Sequence, residues 1–201
     1  MKTPVAKALF NSHSYQEYRK LISDLLLEGK STGSEQSEDL THYSELNDTR
    51  MNRLDKTIAI TEDNIQKIKD LKGEYIWLVI SEGWCGDAAQ ILPIINKMAI
   101  NSENIELKIV LRDENEELMK LFLTNKKKSI PIVIVVDKAT GGDIAKWGPR
   151  PKGATDLITD YKNEFGIIDE IAKANLQLWY LHNKGLSTQD ELVNLMISLD
   201  K

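Results

Sequence analysis

The chain has 201 residues, enough for one core of moderate size, so we expect one domain with added helices rather than two domains. Hydrophobic residues make up 41% and charged residues 28%, a composition that excludes a fibrous repeat and a mainly disordered chain. The net charge of -5 has its signs interspersed along the chain, which argues against nucleic acid as a partner.

The N-terminal stretch lacks an apolar run long enough for a signal peptide, and no stretch approaches the roughly 20 apolar residues of a membrane span. We therefore expect a cytoplasmic protein with no membrane partner. The single cysteine, Cys85, cannot form an internal disulfide, and the three histidines lie far apart in the chain. We expect neither a bound metal nor another cofactor.

Two helical stretches are predicted ahead of the main domain. Apolar residues recur at helical spacing over residues 14–28, behind Ser14 as cap and Glu17 three residues later. A second helical stretch runs from Ser37 to Asp55. Together these stretches predict an N-terminal helical extension, residues 1–54, packed on the main domain.

Strands and helices alternate in the middle of the chain. Residues 61–72 read as a helix capped by Thr61, and "YIWLVIS" at 75–81 reads as a strand buried on both faces. The next helical pattern covers residues 86–100. Cys85 is therefore predicted at the turn between a buried strand and the first turn of a helix.

The following segments complete a strand–helix–strand unit and predict a partly parallel sheet. "IELKIVLRD" at 105–113 alternates as a strand, and "ENEELMKLFLT" follows as a helix. "IPIVIVVD" and "DIAKW" flank "KATGG", which predicts a hairpin. Three further helices are predicted at 152–165, 167–184 and 188–199, the last capped by Thr188. We assign residues 166–201 to a C-terminal helical extension.

A cysteine at the start of a helix lies beside unpaired backbone N–H groups and the positive end of the helix dipole, and both favour the thiolate. The alternative is that Cys85 only packs in the core, as lone cysteines often do. Asp87 suits a helix N-terminus electrostatically and is either a structural residue there or part of a site. Its negative charge opposes thiolate formation, so we predict a thiol that is only modestly acidified.

Residues 55–165 resemble the thioredoxin superfamily, in which the motif Trp-Cys-Gly-Pro-Cys follows a buried strand. Trp84, Cys85 and Gly86 match that motif, and Pro93 lies where the family has the proline that kinks its active-site helix. The N-terminal extension and the "WCGDA" motif also resemble a bacterial thioredoxin-like family with such helices. The resemblance implies an α/β fold with a central mixed sheet flanked by helices, and extra N-terminal and C-terminal helices.

The resemblance also implies a site. Cys85 would be the catalytic nucleophile, and Pro131 would be the cis-proline that faces its thiol. Gly148 would lie in the loop that closes the substrate groove, and the run Lys126–Lys128 and Arg150 would lie near the thiol. The predicted substrate-binding residues are Trp84, Gly86, Asp87, Ser129, Ile130, Pro131 and Gly148.

Two departures from the family pattern bear on mechanism. Ala88 occupies the position of the second cysteine, so no neighbouring thiol resolves a mixed disulfide formed at Cys85. Val79 stands where thioredoxins usually bury an aspartate. Turnover by a dithiol is therefore excluded.

Three hypotheses remain open from the sequence. In the first, Cys85 is a monothiol nucleophile that forms mixed disulfides resolved by an external thiol, with a protein or low-molecular-weight thiol or disulfide as partner. In the second, the chain is a non-catalytic binding module with a thioredoxin-like groove. In the third, oxidation of Cys85 acts as a redox sensor. The sequence predicts no oligomeric state.

Overall fold

The computed structural model describes residues 1–200, which form four strands and nine α-helices. The helices are α1 Thr3–Phe10, α2 Tyr15–Leu27, α3 Glu38–Thr57, α4 Glu62–Lys69, α5 Gly86–Ala99, α6 Glu116–Leu121, α7 Lys152–Phe165, α8 Glu170–Asn183 and α9 Leu186–Leu199. The strands are β1 Tyr75–Ser81, β2 Ile105–Leu111, β3 Ile132–Asp137 and β4 Asp143–Trp147. None of the helices within residues 1–200 combines the length and the apolar character needed to cross a bilayer.

The four strands form one mixed sheet in the order β2-β1-β3-β4. β1 pairs parallel with β2 and antiparallel with β3, and β3 pairs antiparallel with β4. The two central strands are apolar on both faces because helices cover both, and residues 77–80 and 132–136 are fully buried. The predicted α/β fold, with a central mixed sheet flanked by helices, is confirmed.

The N-terminal helices begin where the capping signals place them, with one addition. The Ser14 side chain accepts the backbone N–H of Glu17, whose carboxylate accepts the N–H of Ser14, and Ser37 caps α3. α1 was not predicted, because its N-cap residue makes no side-chain bond and only Val5 and Ala8 are buried on it. α2 packs on α3 and on the edge strand β2.

The prediction that Thr188 caps the last helix is wrong. α9 begins at Leu186 after Gly185, which has a left-handed φ of 77°, and Thr188 is buried inside the helix. The Asn183 side chain accepts the backbone N–H of Ser187, so it takes the place of a local cap. The tight turn from α8 into α9 therefore sets the start of α9, and the local cap signal does not.

α5 carries the cysteine at its N-terminus and is the most enclosed helix of the described chain. Its residues from Asp87 to Ile95 are all buried, and Pro93 lies within it. α5 is covered by α3 and by α9 on the side away from the sheet. Helices from both ends of the chain, α3 and α9, thus pack on the helix that positions Cys85.

Gly148, directly after β4, lies against the loop that leads into β3. Its φ is +115°, a conformation that side chains rarely adopt, and a Cβ there would overlap the carbonyl oxygen of Pro131. The close approach of these two loops therefore requires glycine at position 148.

We expect Gly148→Ala to lower the free energy of unfolding by about 3 kcal/mol, because backbone strain and the overlap with Pro131 add. Gly166→Ala is the matched control, since Gly166 also has a positive φ of 76° but meets no atom within 4 Å. We expect the control to lose only about 1 kcal/mol. Urea unfolding measures both, and equal losses would show that the approach to Pro131 is loose.

Candidate functional site

The thiol of Cys85 lies between the N-terminus of α5 and the segment before β3. Cys85 is the N-cap residue of α5, and its Sγ accepts the backbone N–H of Ala88 at 3.5 Å. Sγ also lies 3.4 Å from the carbonyl oxygen of Ile130, to which the thiol donates. Only 8% of Cys85 is exposed, so the sulfur is a protonated, enclosed donor.

The segment opposite the thiol holds the other residues that the sequence predicts at the site. The Ile130–Pro131 peptide bond is cis, and the bond from Gly148 to Pro149 is cis as well. Ile130 and Pro131 are buried, whereas Ser129 is partly exposed. The structure brings Ile130 into contact with the thiol, and Gly148 reaches the site through its packing on Pro131.

Asp87 is the centre of a buried polar network beside the cysteine. Its carboxylate accepts two bonds from the guanidinium of Arg150, at 2.6 and 2.8 Å, and one from the hydroxyl of Tyr180 at 2.8 Å. Charge-assisted bonds of this kind are stronger than neutral ones, more so when little water reaches them. Asp87 therefore links α5, the loop after β4 and α8.

Burial, and after it the negative charge of Asp87, raise the pKa of the Cys85 thiol to about 12. The backbone N–H groups at the start of α5 and the charge of Arg150 lower this pKa, but their effect is smaller. The prediction of a modestly acidified thiol is therefore wrong. The physical reason is desolvation, which a motif read from sequence does not report.

Helices α3 and α8 enclose the motif, and we call these two helices together the cover. From α3, Asn47 donates its side-chain N–H to the carbonyl oxygen of Gly83 at 2.9 Å. From α8, Gln177 accepts a bond of 2.7 Å from Gln90 of α5. Tyr180, Asn47 and Gln177 were not predicted as site residues. The one signal for them is a polar or hydroxyl side chain on the inward face of an amphipathic helix.

Trp84 lies at the edge of an open cavity of about 520 Å³ between α3 and α8. It is partly buried, and the guanidinium of Arg112 lies 4.6 Å from its ring centroid. Gly86 lines the same cavity, so both neighbours of Cys85 face it. We call this space the α3–α8 cavity.

The lysine run predicted near the thiol lies on an exposed loop. Lys126, Lys127 and Lys128 are all exposed, and Lys128 pairs with Glu116 of α6 at 2.5 Å. Arg150 is the cation that acts on the thiol. The resemblance placed both sets of cations at the site, but the structure brings only Arg150 into the polar network there.

A buried acid that the sequence did not predict, Glu82, lies three residues before the cysteine. Glu82 is fully buried; its carboxylate accepts the hydroxyl of Thr32 and, at 2.9 Å, the backbone N–H of Asp113. Burial raises the pKa of Glu82. Val79 and Ala88, the two departures from the family pattern, are buried apolar residues. Glu82 ties the segment before α3 to the motif loop.

The family model described as thioredoxin matches residues 33–162 of the chain. The crystal structure of a protein of unknown function from Pseudomonas aeruginosa is 17% identical, with a TM-score of 0.56, and the match covers 92% of this chain and 98% of that one. The crystal structure of an HIV epitope-scaffold is 18% identical, with a TM-score of 0.58, and the match covers 94% of this chain and 100% of the scaffold. No curated protein matches the chain. At these identities the two structures show the fold.

The raised pKa of Cys85 predicts slow alkylation. Because the thiolate fraction changes tenfold per pH unit below the pKa, we expect native Cys85 at pH 8 to react at least ~100-fold more slowly than a free thiol. The rate should still be rising at pH 11, whereas the urea-unfolded chain should level off above about pH 9. Iodoacetamide labelling followed by intact mass measures both, with circular dichroism to check folding. A native rate that levels off near pH 9 would contradict the burial argument.

Neutralising Asp87 should lower the pKa of Cys85. In Asp87→Asn the negative charge is gone while Arg150 remains, so we expect labelling at pH 8 to rise about tenfold. Tyr180→Phe is the matched control, because it removes one bond to Asp87 but keeps the charge. The control should leave the pH at which labelling levels off unchanged. If both variants shift that pH equally, a looser cover, and not the charge, is the cause.

Proposed function

Because the chain belongs to the thioredoxin family, we propose that it exchanges thiols and disulfides as a monothiol through Cys85. The observation that carries this proposal is the position of Sγ, at the N-terminus of α5 and opposite the carbonyl oxygen of Ile130. An extended substrate beside the sulfur would meet the backbone of Ile130 and Pro131. Trp84, Gly86, Asp87, Ser129 and Gly148 would line its path.

The reaction balances without a second cysteine. The Cys85 thiolate attacks one sulfur of an external disulfide; that S–S bond breaks, a mixed disulfide forms, and the other sulfur leaves as a thiolate. An external thiolate then attacks the mixed disulfide at the substrate sulfur and releases Cys85 as thiolate. Ala88 supplies no internal thiol, so each cycle consumes one external thiol.

The resting state of the site is inactive. With a pKa of about 12, about one thiol in 100,000 is ionised at pH 7. Exchange therefore requires the cover to move so that water reaches Sγ, which lowers the pKa towards its ordinary value. The bonds from Tyr180 to Asp87 and from Gln90 to Gln177 are the ones that break when α8 moves away.

The partners we propose are a protein disulfide or a low-molecular-weight one, and an external thiol that completes the cycle. A reducing cytoplasm supplies such thiols and keeps Cys85 reduced between cycles. Neither nucleic acid nor a membrane is part of this proposal, because the net charge of -5 gives no attraction to a polyanion.

A second candidate function has one observation in its favour. The enclosed, protonated thiol fits a binding module that uses the thioredoxin-like surface without chemistry at Cys85. In that case a partner would bind wild type and Cys85→Ser equally. The redox-sensor hypothesis gains nothing from the structure, because oxidation to sulfenate also starts from the thiolate.

The decisive test is the mixed disulfide itself. Incubated with an oxidised low-molecular-weight thiol, the native protein should gain one adduct by intact mass, removed by added thiol and absent in Cys85→Ser. The variant Ala88→Cys should reduce small disulfides without an external monothiol. Position 88 lies one helical turn from Cys85, so a thiol there can resolve the mixed disulfide. A native chain that takes no adduct, while the urea-unfolded chain takes one, would favour the binding module.

A further inference from the structure

The α3–α8 cavity contains a cation without a counter-ion. Arg50 is half-buried on α3, and its guanidinium donates to the side-chain oxygen of Asn47 at 2.7 Å. Among residues 1–200 no carboxylate pairs with Arg50 or with the exposed Arg53, whereas Arg19, Arg112 and Arg150 each pair with an aspartate. Burial lowers the pKa of Arg50, and the nearby charge of Arg53 lowers it further. A partly desolvated charge without a counter-ion carries a free-energy cost, and a bound anion would offset part of that cost.

The other charges that line the cavity cancel. Asp87 pairs with Arg150 at 2.6 Å, and Glu170 pairs with Lys173 at 2.7 Å. The charge of Arg50 therefore remains as the net charge of the cavity, which favours a ligand with one negative group at that end.

Apart from these charged groups and Gln177, the cavity wall is mainly apolar and aromatic. Leu46 and Tyr43 of α3 are each 39% exposed and line it, and Leu176 of α8 lies in the opposite wall with Trp84 between them. A volume of about 520 Å³ suits a small organic molecule. One cation at the end of an apolar, aromatic cavity fits an organic anion with an apolar body.

The anion end of the cavity adjoins the cysteine. A Cβ built on Gly86 would lie 3.9 Å from a guanidinium nitrogen of Arg50, so the charge lies directly over the residue after Cys85. The cavity is lined by Trp84 and Gly86, the two residues on either side of Cys85. An anion bound to Arg50 is therefore held next to the turn that carries the thiol. Because Arg50 lies on α3, which packs on α5, it keeps this place when α8 moves away and exposes Sγ.

We propose that the α3–α8 cavity binds small carboxylate-bearing thiols and disulfides, with Arg50 as the residue that holds the carboxylate and the apolar wall holding the body. This inference rests on the proposed function and names its substrate class. The chemistry is that of Cys85 described above, in which an aryl disulfide loses one half as an aryl thiolate and leaves the other half on the protein.

Two aryl disulfides of similar size and different charge test the proposal. Dithiobis(nitrobenzoate) is anionic and its diamide, dithiobis(nitrobenzamide), is neutral near pH 8, and each releases a coloured thiol product. With rates normalised to a free thiol, native protein should favour the anionic reagent. Arg50→Gln should slow that reaction about tenfold, the effect of losing a charged hydrogen bond. Its rate with the neutral reagent should change less than twofold.

The matched control is Arg53→Gln, which removes the same charge from α3 at an exposed position outside this cavity. It should leave both rates unchanged. The anion site is overturned if Arg50→Gln slows the reactions with both reagents equally, or if Arg53→Gln slows the reaction with the anionic reagent as much as Arg50→Gln does. The proposed monothiol function stands in either case.

A binding measurement separates the site from the chemistry. Nitrobenzoate should bind Cys85→Ser in calorimetry, the Cys85→Ser, Arg50→Gln double variant should bind it about tenfold more weakly, and the neutral nitrobenzamide should bind both alike. Absence of nitrobenzoate binding would overturn the site. If neither disulfide reacts at Cys85 although nitrobenzoate binds, the proposed function fails and the anion site remains.

Discussion

The carboxylate of Asp87 is the interaction on which the arrangement of this protein depends. The bonds that it accepts from Arg150 and Tyr180 attach the loop after β4 and helix α8 to the start of α5. Its charge also disfavours ionisation of Cys85 two residues earlier. One side chain therefore holds α8 in place and adds a negative charge to the effect of burial on the thiol, so the closed structure and the unreactive sulfur are linked through Asp87.

A comparison of free energies explains why the helix N-terminus does not make Cys85 a thiolate here. A helix dipole favours a nearby anion by about 1 kcal/mol, and the N–H group of Ala88 adds a weak bond to sulfur. The rise in the pKa of Cys85 from 9.0 to about 12 corresponds to about 4 kcal/mol in favour of the thiol. Desolvation by the cover therefore outweighs the helix.

The parts of the structure that follow from short-range pattern could be predicted from sequence. The buried strand β1, the turn at Cys85 and the Ser14 cap each depend on neighbours within a few residues. The parts that depend on contacts between distant segments of the chain could not be predicted. Tyr180 meets Asp87 from 93 residues away, and nothing in either local sequence indicates the contact. Nothing in the sequence distinguishes Arg50 from the other charged residues of α3. Its place in a cavity depends on α8, which forms the opposite wall.

The chain has a single cysteine, and that cysteine lies beneath two helices. Each chemical event at sulfur therefore reports a local opening of the native state, in the way that amide hydrogen exchange reports the breaking of one backbone bond. The ratio of the native to the unfolded rate is then a protection factor for the docking of α3 and α8. The unmodified protein thus carries its own probe of local stability at one defined position.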